Sequence, residues 1–152
     1  MAEPEQSQFS RREAMAVLAR APEDRVLALF AASGLPEAAT PLRGPETGLV
    51  ALRGRIGGGG AAFNFGEATV TRASVKLPTG EVGHSYALGR AREKARIAAV
   101  IDALAQKPEN RARVADAILA PLRAEQRETD GRRREETAAT QVDFFTMTRG
   151  ED

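Results

Sequence analysis

The apolar residues change their spacing at Gly89-Arg90, and that switch constrains the fold more than any other feature of the chain. Before it, side chains alternate with a period of two, as on a strand whose successive residues face opposite sides. Residues 49–56 set Val50, Leu52 and Ile56 on one side and Arg53 and Arg55 on the other. Residues 68–77 mix Thr, Val and Ala and suit a second strand; Pro78-Thr79-Gly80 reads as a turn, and residues 82–88 as the returning strand. After the switch, Ile97, Ala98, Val100, Ile101 and Leu104 fall at helical spacing over 92–106. Pro108 ends that run. Val114, Ile118 and Leu119 resume it over 111–122, where Pro121 marks a break or kink.

Two short helices are expected ahead of the strands, within 10–34. Ser10-Arg11-Arg12-Glu13 is a capping box: the Ser10 hydroxyl accepts from the third amide while Glu13 reaches back to the cap. Met15, Leu18 and Ala14 then share a face. Pro22 suits the first position of the next helix, where no amide partner is needed. Val26, Leu27, Leu29 and Phe30 form its apolar side, and Gly34 stops it. Residues 35–46 carry Pro36, Pro41, Gly44 and Pro45 and read as a connector. Residues 123–139 are almost wholly polar and fit either a connector or a helix, with Glu128 and Arg132 at the pairing distance of one turn. Polarity then collapses, since Val142, Phe144, Phe145 and Met147 crowd the chain end.

These elements predict an α+β fold: a small, mostly antiparallel sheet at 47–89 with a glycine-rich connection, helices before it and at 91–122, and extended N- and C-terminal segments. At 152 residues the chain fits one domain. Only 5% of residues are aromatic and none is Trp, so the core must be built from Ala, Leu, Val and Ile. With 22 basic against 21 acidic residues, the near-balance argues against a dedicated nucleic-acid binder. The absence of Cys excludes disulfides, thiolate metal sites and a Cys nucleophile, and the single His, His84, builds no metal site alone. Residues 1–8 are polar and acidic, and no segment approaches the length of a membrane span, so a cytoplasmic protein is expected.

Several segments stand out together: Glu46-Thr47-Gly48-Leu49-Val50; Phe65-Gly66-Glu67-Ala68-Thr69-Val70-Thr71-Arg72-Ala73; Gly83, Ser85 and Gly89-Arg90; Ile101-Asp102-Ala103-Leu104; Ala120-Pro121-Leu122; and Val142-Asp143-Phe144-Phe145-Thr146-Met147-Thr148-Arg149-Gly150. In this order and spacing, from Glu46 onward, they resemble the G subunit family (PhnG) of bacterial carbon–phosphorus lyase. The resemblance implies work with the H, I and J subunits in a core complex for phosphonate breakdown. It implies that G, H and I together displace adenine from MgATP by a phosphonate, giving a ribose 1-phosphonate 5-triphosphate. The I subunit would be the catalytic nucleosidase, and J the radical S-adenosylmethionine enzyme that later cleaves the bond. The G subunit would support and intertwine with I, as a hetero-oligomer, binding no cofactor of its own. The residues agree, because one His, no Cys and no evident carboxylate constellation equip a chain poorly for catalysis.

Each candidate residue has a plain structural reading beside the functional one. The run Gly57 to Gly60 can nest a phosphate, but Ala61-Ala62 stand where a phosphate-binding loop needs Lys and Ser or Thr, so a flexible strand connection is the simpler account. Arg72 lies mid-strand among Ala, Val and Thr. If it faces inward it requires an anionic partner, for which Glu67 is a candidate. Arg90 follows Gly89 at a strand-to-helix junction, where anions often bind. One of these arginines would help hold the nucleotide triphosphate, or both serve interface ion pairs. His84 and Tyr86 share a strand face with Val82 and Leu88; His84 is either an acid or base near neutral pH or a satisfied structural residue. Glu46 and Glu67 have no spacing that pairs them. In the tail, Phe144 and Phe145 point to opposite sides if extended, and burying each contributes ~1.5–3 kcal/mol. Val142, Phe144, Phe145 and Met147 therefore form either an arm docked on the I subunit or a last strand on the chain's own sheet. Two rival functions stay open: a stand-alone small-anion or nucleotide-binding module, and a chain that lends residues to a shared active site.

Overall fold

The computed structural model describes residues 9–56 and 59–140. Helix α1 (Arg11–Arg20) starts where the capping box predicts, with the Ser10 amide donating to Glu13 Oε2 at 2.8 Å and the Glu13 amide donating to Ser10 Oγ at 3.3 Å. It buries Ala14, Val17 and Leu18, while Met15 is only half-buried. Helix α2 (Glu23–Ser33) has Pro22 one place earlier than expected, as its N-cap, and buries Val26 and Phe30. Gly34 ends it at φ +67°, a conformation that a Cβ would strain.

Among the described residues, three strands form one antiparallel sheet in the order β1 (Thr40–Gly54), β2 (Phe63–Lys76), β3 (Val82–Leu88). The stretch read as a connector is in its second half strand. β1 begins at Thr40, and Pro41, Gly44 and Pro45 are tolerated because β1 is an edge strand whose register slips between Pro41 and Arg43 and again between Arg43 and Glu46. β2 also starts earlier than expected, at Phe63. Ile56, placed on a strand by its spacing, lies beyond β1 and is exposed. The Pro78-Thr79-Gly80 turn forms as expected: the Gly80 amide donates to Leu77 O and the Leu77 amide to Glu81 O, each at 2.9 Å.

Helix α3 (Arg92–Ala105) packs on one face of this sheet and is the centre of the core. Ala95, Ala99 and Ala103 recur every four residues on the side that meets β3, so the two backbones come very close. A Cβ on Gly83 would lie 1.9 Å from Ala99 O and 2.6 Å from Ala103 N. Ser85 Oγ donates to Ala95 O at 2.5 Å in the same seam. On its other sides α3 offers Ile97, Val100, Ile101 and Leu104 to Val26 and Phe30 of α2 and to the C-terminal helices.

Those helices run on as α4 (Pro108–Val114), a π turn (Ala115–Leu119) and α5 (Ala120–Ala139). Ile118, Leu119 and Leu122 are buried there. Of the break or kink expected at Pro121, the helical run shows no break, but its hydrogen-bonding pattern changes just ahead of the proline. The widened π turn just before it relaxes the backbone where the ring would meet a carbonyl one turn back. The polar stretch 123–139, whose composition fits a connector as well as a helix, is helical, and Arg132 pairs with Glu128 at 2.9 Å. The fold is thus α+β as expected. The proposed extended termini, including Val142, Phe144, Phe145 and Met147, lie outside the described residues, as do Gly57 and Gly58. Among the described residues, no helix is long and apolar enough to cross a membrane.

Candidate functional site

The sheet face turned away from α3 gathers most of the polar candidates. Strand register sets them on two adjacent rungs: Arg43, Ser74 and His84 on one, Glu46, Arg72 and Tyr86 on the next. Thr71, Ala73 and Val75, at the intervening positions, are buried beneath. Arg72 therefore faces solvent, because period two gives the core to its odd-numbered neighbours. Its partner is Glu46 and not Glu67: Arg72 Nη2 and Arg43 Nη1 each lie 3.5 Å from Glu46 Oε2, while Glu67 sits opposite Ala51. Such open pairs contribute only ~0–1 kcal/mol. Ser74 Oγ and His84 Nδ1 are 2.8 Å apart. Two guanidinium groups on one carboxylate, with an imidazole and a phenol on the neighbouring strand, can hold an anion or meet a charged partner surface. An exposed face does not give the dry, pre-organised surroundings that acid–base catalysis exploits.

Arg90 is not part of that face. It follows Gly89, whose φ of +83° turns the chain out of β3. The Gly89 amide donates to Thr69 O at 2.8 Å, and its carbonyl accepts from the buried Thr71 hydroxyl at 2.6 Å, with Thr47 Oγ1 a further 3.1 Å away. This anchored turn delivers Arg90, exposed, just ahead of α3. Arg72 and His84 are brought together; Arg90 is held apart.

The most deeply placed charged groups were not among the sequence candidates. Asp102, 4% exposed, accepts from Arg11 Nε at 2.9 Å, Arg11 Nη2 at 2.8 Å and the His84 amide at 2.9 Å. Its hydrogen bond with Asp102 holds the Arg11 guanidinium above its ordinary pKa. This cluster ties α1, β3 and α3 together, and its carboxylate oxygens are already engaged. A signal existed, since one Asp interrupts the run Val100, Ile101, Ala103, Leu104 and must find a partner there. Lys94 is also buried and donates to Ala19 O at 2.7 Å, at the end of α1. Burial lowers its pKa, with Glu23 opposing. Lys94 borders a cavity of about 250 Å³ shared with Met15, Leu18, His84 and Tyr86.

Of the glycine run, Gly59 and Gly60 are described and exposed; a Cβ on Gly59 would meet nothing within 4 Å. Among the described residues there is no group of three His, Cys, Asp or Glu able to hold a metal ion.

A family model described as "Phosphonate metabolism protein PhnG" matches residues 9–150, from the first described residue of the N-terminal region to within the tail. The chain belongs to the PhnG family. A curated relative, the alpha-D-ribose 1-methylphosphonate 5-triphosphate synthase subunit PhnG of Rhizobium meliloti (strain 1021), is 56% identical over 143 residues, covering 93% of this chain and 90% of the relative. PhnG membership thus extends across the N-terminal helices, which the motifs from Glu46 onward did not reach. It gives the two-rung face, the Gly89 turn and the hairpin a common setting in phosphonate metabolism.

Proposed function

We propose that this PhnG chain is an accessory, non-catalytic subunit of the complex that displaces adenine from MgATP with a phosphonate, forming a ribose 1-phosphonate 5-triphosphate. The observation that carries the reading is 56% identity, over 93% of the chain, to a protein named as a subunit of that synthase. The open sheet face supports an accessory role, because its His, Tyr and Arg side chains are solvated and its carboxylate is already paired with arginine. The expected partners are the I subunit first, then H and J. The expected compartment is the cytoplasm, with no cofactor held by this chain. Val142, Phe144, Phe145 and Met147 are expected to dock on the I subunit, and deletion of residues 142–152 should reduce assembly.

Co-expression with the other subunits, followed by sizing, tests the reading. The chain should elute in a larger assembly. That assembly should release adenine from MgATP and methylphosphonate, and omission of this chain should abolish release. Unchanged release without it, or turnover by the chain alone, overturns the proposal.

The juxtaposition of Arg43, Arg72 and His84 favours a second reading, in which this chain lends charge to a shared nucleotide site. Arg72→Ala, His84→Ala and Arg90→Ala in the assembled complex decide it. Unchanged nucleotide affinity in an intact complex discards a ligand role for all three.

A further inference from the structure

β3 pairs with β2 only from Val70 to Lys76, yet the β1–β2 ladder continues to Gly54 and Phe63. The outer part is a two-stranded ribbon, about 20 Å long on strand spacing, with no third strand beside it among the described residues. Ribbons of this kind are marginal alone and usually need a packed face. This one leaves its large apolar groups in water: Leu49 is 65% exposed, Phe65 58%, Phe63 42%, and Ile56 at the tip 79%. The two exposed rings pack on each other. Phe63 and Phe65 meet edge to face at 6.1 Å, and the Phe65 ring lies over Gly54, where a Cβ would come within 2.7 Å of it. Gly54 therefore serves as a bare platform that lets the ring lie across the ribbon. At the same end of the ribbon, Arg53 pairs with Asn64 on the opposite face and Arg55 follows just past β1; both are exposed, and neither is in an ion pair with another described residue.

We infer that this ribbon is a docking arm whose aromatic pair enters an apolar cleft, rimmed by carboxylates, on another subunit of the synthase. The inference deepens the accessory-subunit reading and rests on it. Charge selects the occupant: two guanidinium groups at the end of the ribbon, with no ion-pair partner among the described residues, call for carboxylates around the cleft that takes the aromatic pair, and Arg with aromatic side chains is a composition enriched at protein interfaces. A second copy of this chain fits poorly, because a two-fold contact between tips would set arginines against arginines. The near-neutral charge of the whole chain, +1, does not favour nucleic acid.

The full-length chain is co-expressed with the other synthase subunits as wild type, as Phe63→Ser/Phe65→Ser, and as Arg53→Glu/Arg55→Glu; a fourth form carries a photo-crosslinking phenylalanine at position 65. Wild type should co-purify with the assembly, and the crosslink should land on another subunit, in an apolar segment flanked by Asp or Glu. Both double variants should keep the thermal midpoint of the isolated chain and lose assembly by about tenfold or more. If the Phe variant misfolds, the Arg variant, which changes only exposed ends, decides. Assembly of the soluble variants at wild-type level overturns the arm alone. So does a crosslink confined to this chain, to a second copy, or to nucleic acid. Failure of wild type to join any subunit overturns the subunit reading and the arm together.

Discussion

Gly83 is the residue on which the seam between sheet and helix depends. The atoms a side chain would strike, Ala99 O and Ala103 N, are backbone and cannot swing aside. Gly83→Ala should therefore lower unfolding stability by about 3 kcal/mol or more, the upper range for overpacking, read from a denaturant midpoint. Gly131 gives the opposite sign. It lies inside α5, and an added methyl group there would meet nothing within 4 Å, so Gly131→Ala should gain up to about 1 kcal/mol from helix propensity. Asp102 and Arg11 make an unequal pair. The Arg11 side chain is 53% exposed and the Asp102 side chain 2%. Water can replace a partner for the first and not for the second. Arg11→Met should thus cost about 3 kcal/mol by stranding a buried carboxylate with only the His84 amide. Adding Asp102→Asn should recover part of that loss. A single-variant cost near zero would show that water reaches the carboxylate.

At the scale of elements, α5 is held by buried Leu122 near its start and by charge along the rest of its length, where α3 is held mainly by apolar contact. Its links to the body include Arg25–Glu125, Arg20–Asp130 and the Gln126 side-chain amide on Val17 O. Hydrogen bonds from Arg25 and from Arg20 hold the Glu125 and Asp130 carboxyls below their ordinary pKa. Because the folded values are depressed, the stability these pairs contribute is present above the ordinary carboxylate range, near pH 4, and is lost as pH falls through and below it. Acidification below about pH 4 should therefore lower the hydrogen-exchange protection of α5 before α3 opens, and added salt at neutral pH should act in the same direction. Simultaneous loss of protection in both helices would refute a separable α5. The elements themselves were legible where a period agreed with a local start, stop or turn signal: the capping box of α1, Pro108 just beyond α3, and Pro78-Thr79-Gly80 between β2 and β3. The first half of β1 was not, because Pro41, Gly44 and Pro45 carry a connector's composition and only the irregular edge ladder admits them to a strand. Arg72 was legible as anomalous but not in direction: alternation fixes which residues share a face, and only packing of α3 decides which face is inside. Asp102 was readable as a buried acid in principle, whereas its partner lies 91 residues away, a contact no local pattern encodes.

For the whole molecule, stability is unevenly placed, and its distribution predicts how assembly should be felt. α3 is wrapped by the sheet, α1, α2 and the C-terminal helices, and Ala99, Val100 and Ala103 are fully enclosed. The ribbon from Leu49 to Gly54 and from Phe63 outward has no such cover among the described residues. In the isolated chain, amides of α3 should exchange only through global opening, while ribbon amides exchange through local fraying. A partner that binds the folded state stabilises it by mass action, and does so most where it adds contacts. Reconstitution into the synthase should thus slow exchange in the ribbon by about tenfold or more while barely changing α3. Uniform slowing would mean that the partner stabilises the fold globally without covering the arm. Slowing confined to the face of Arg43, Arg72 and His84 would place the contact there instead. The same exchange map therefore separates the docking arm from the shared-site reading in a single measurement.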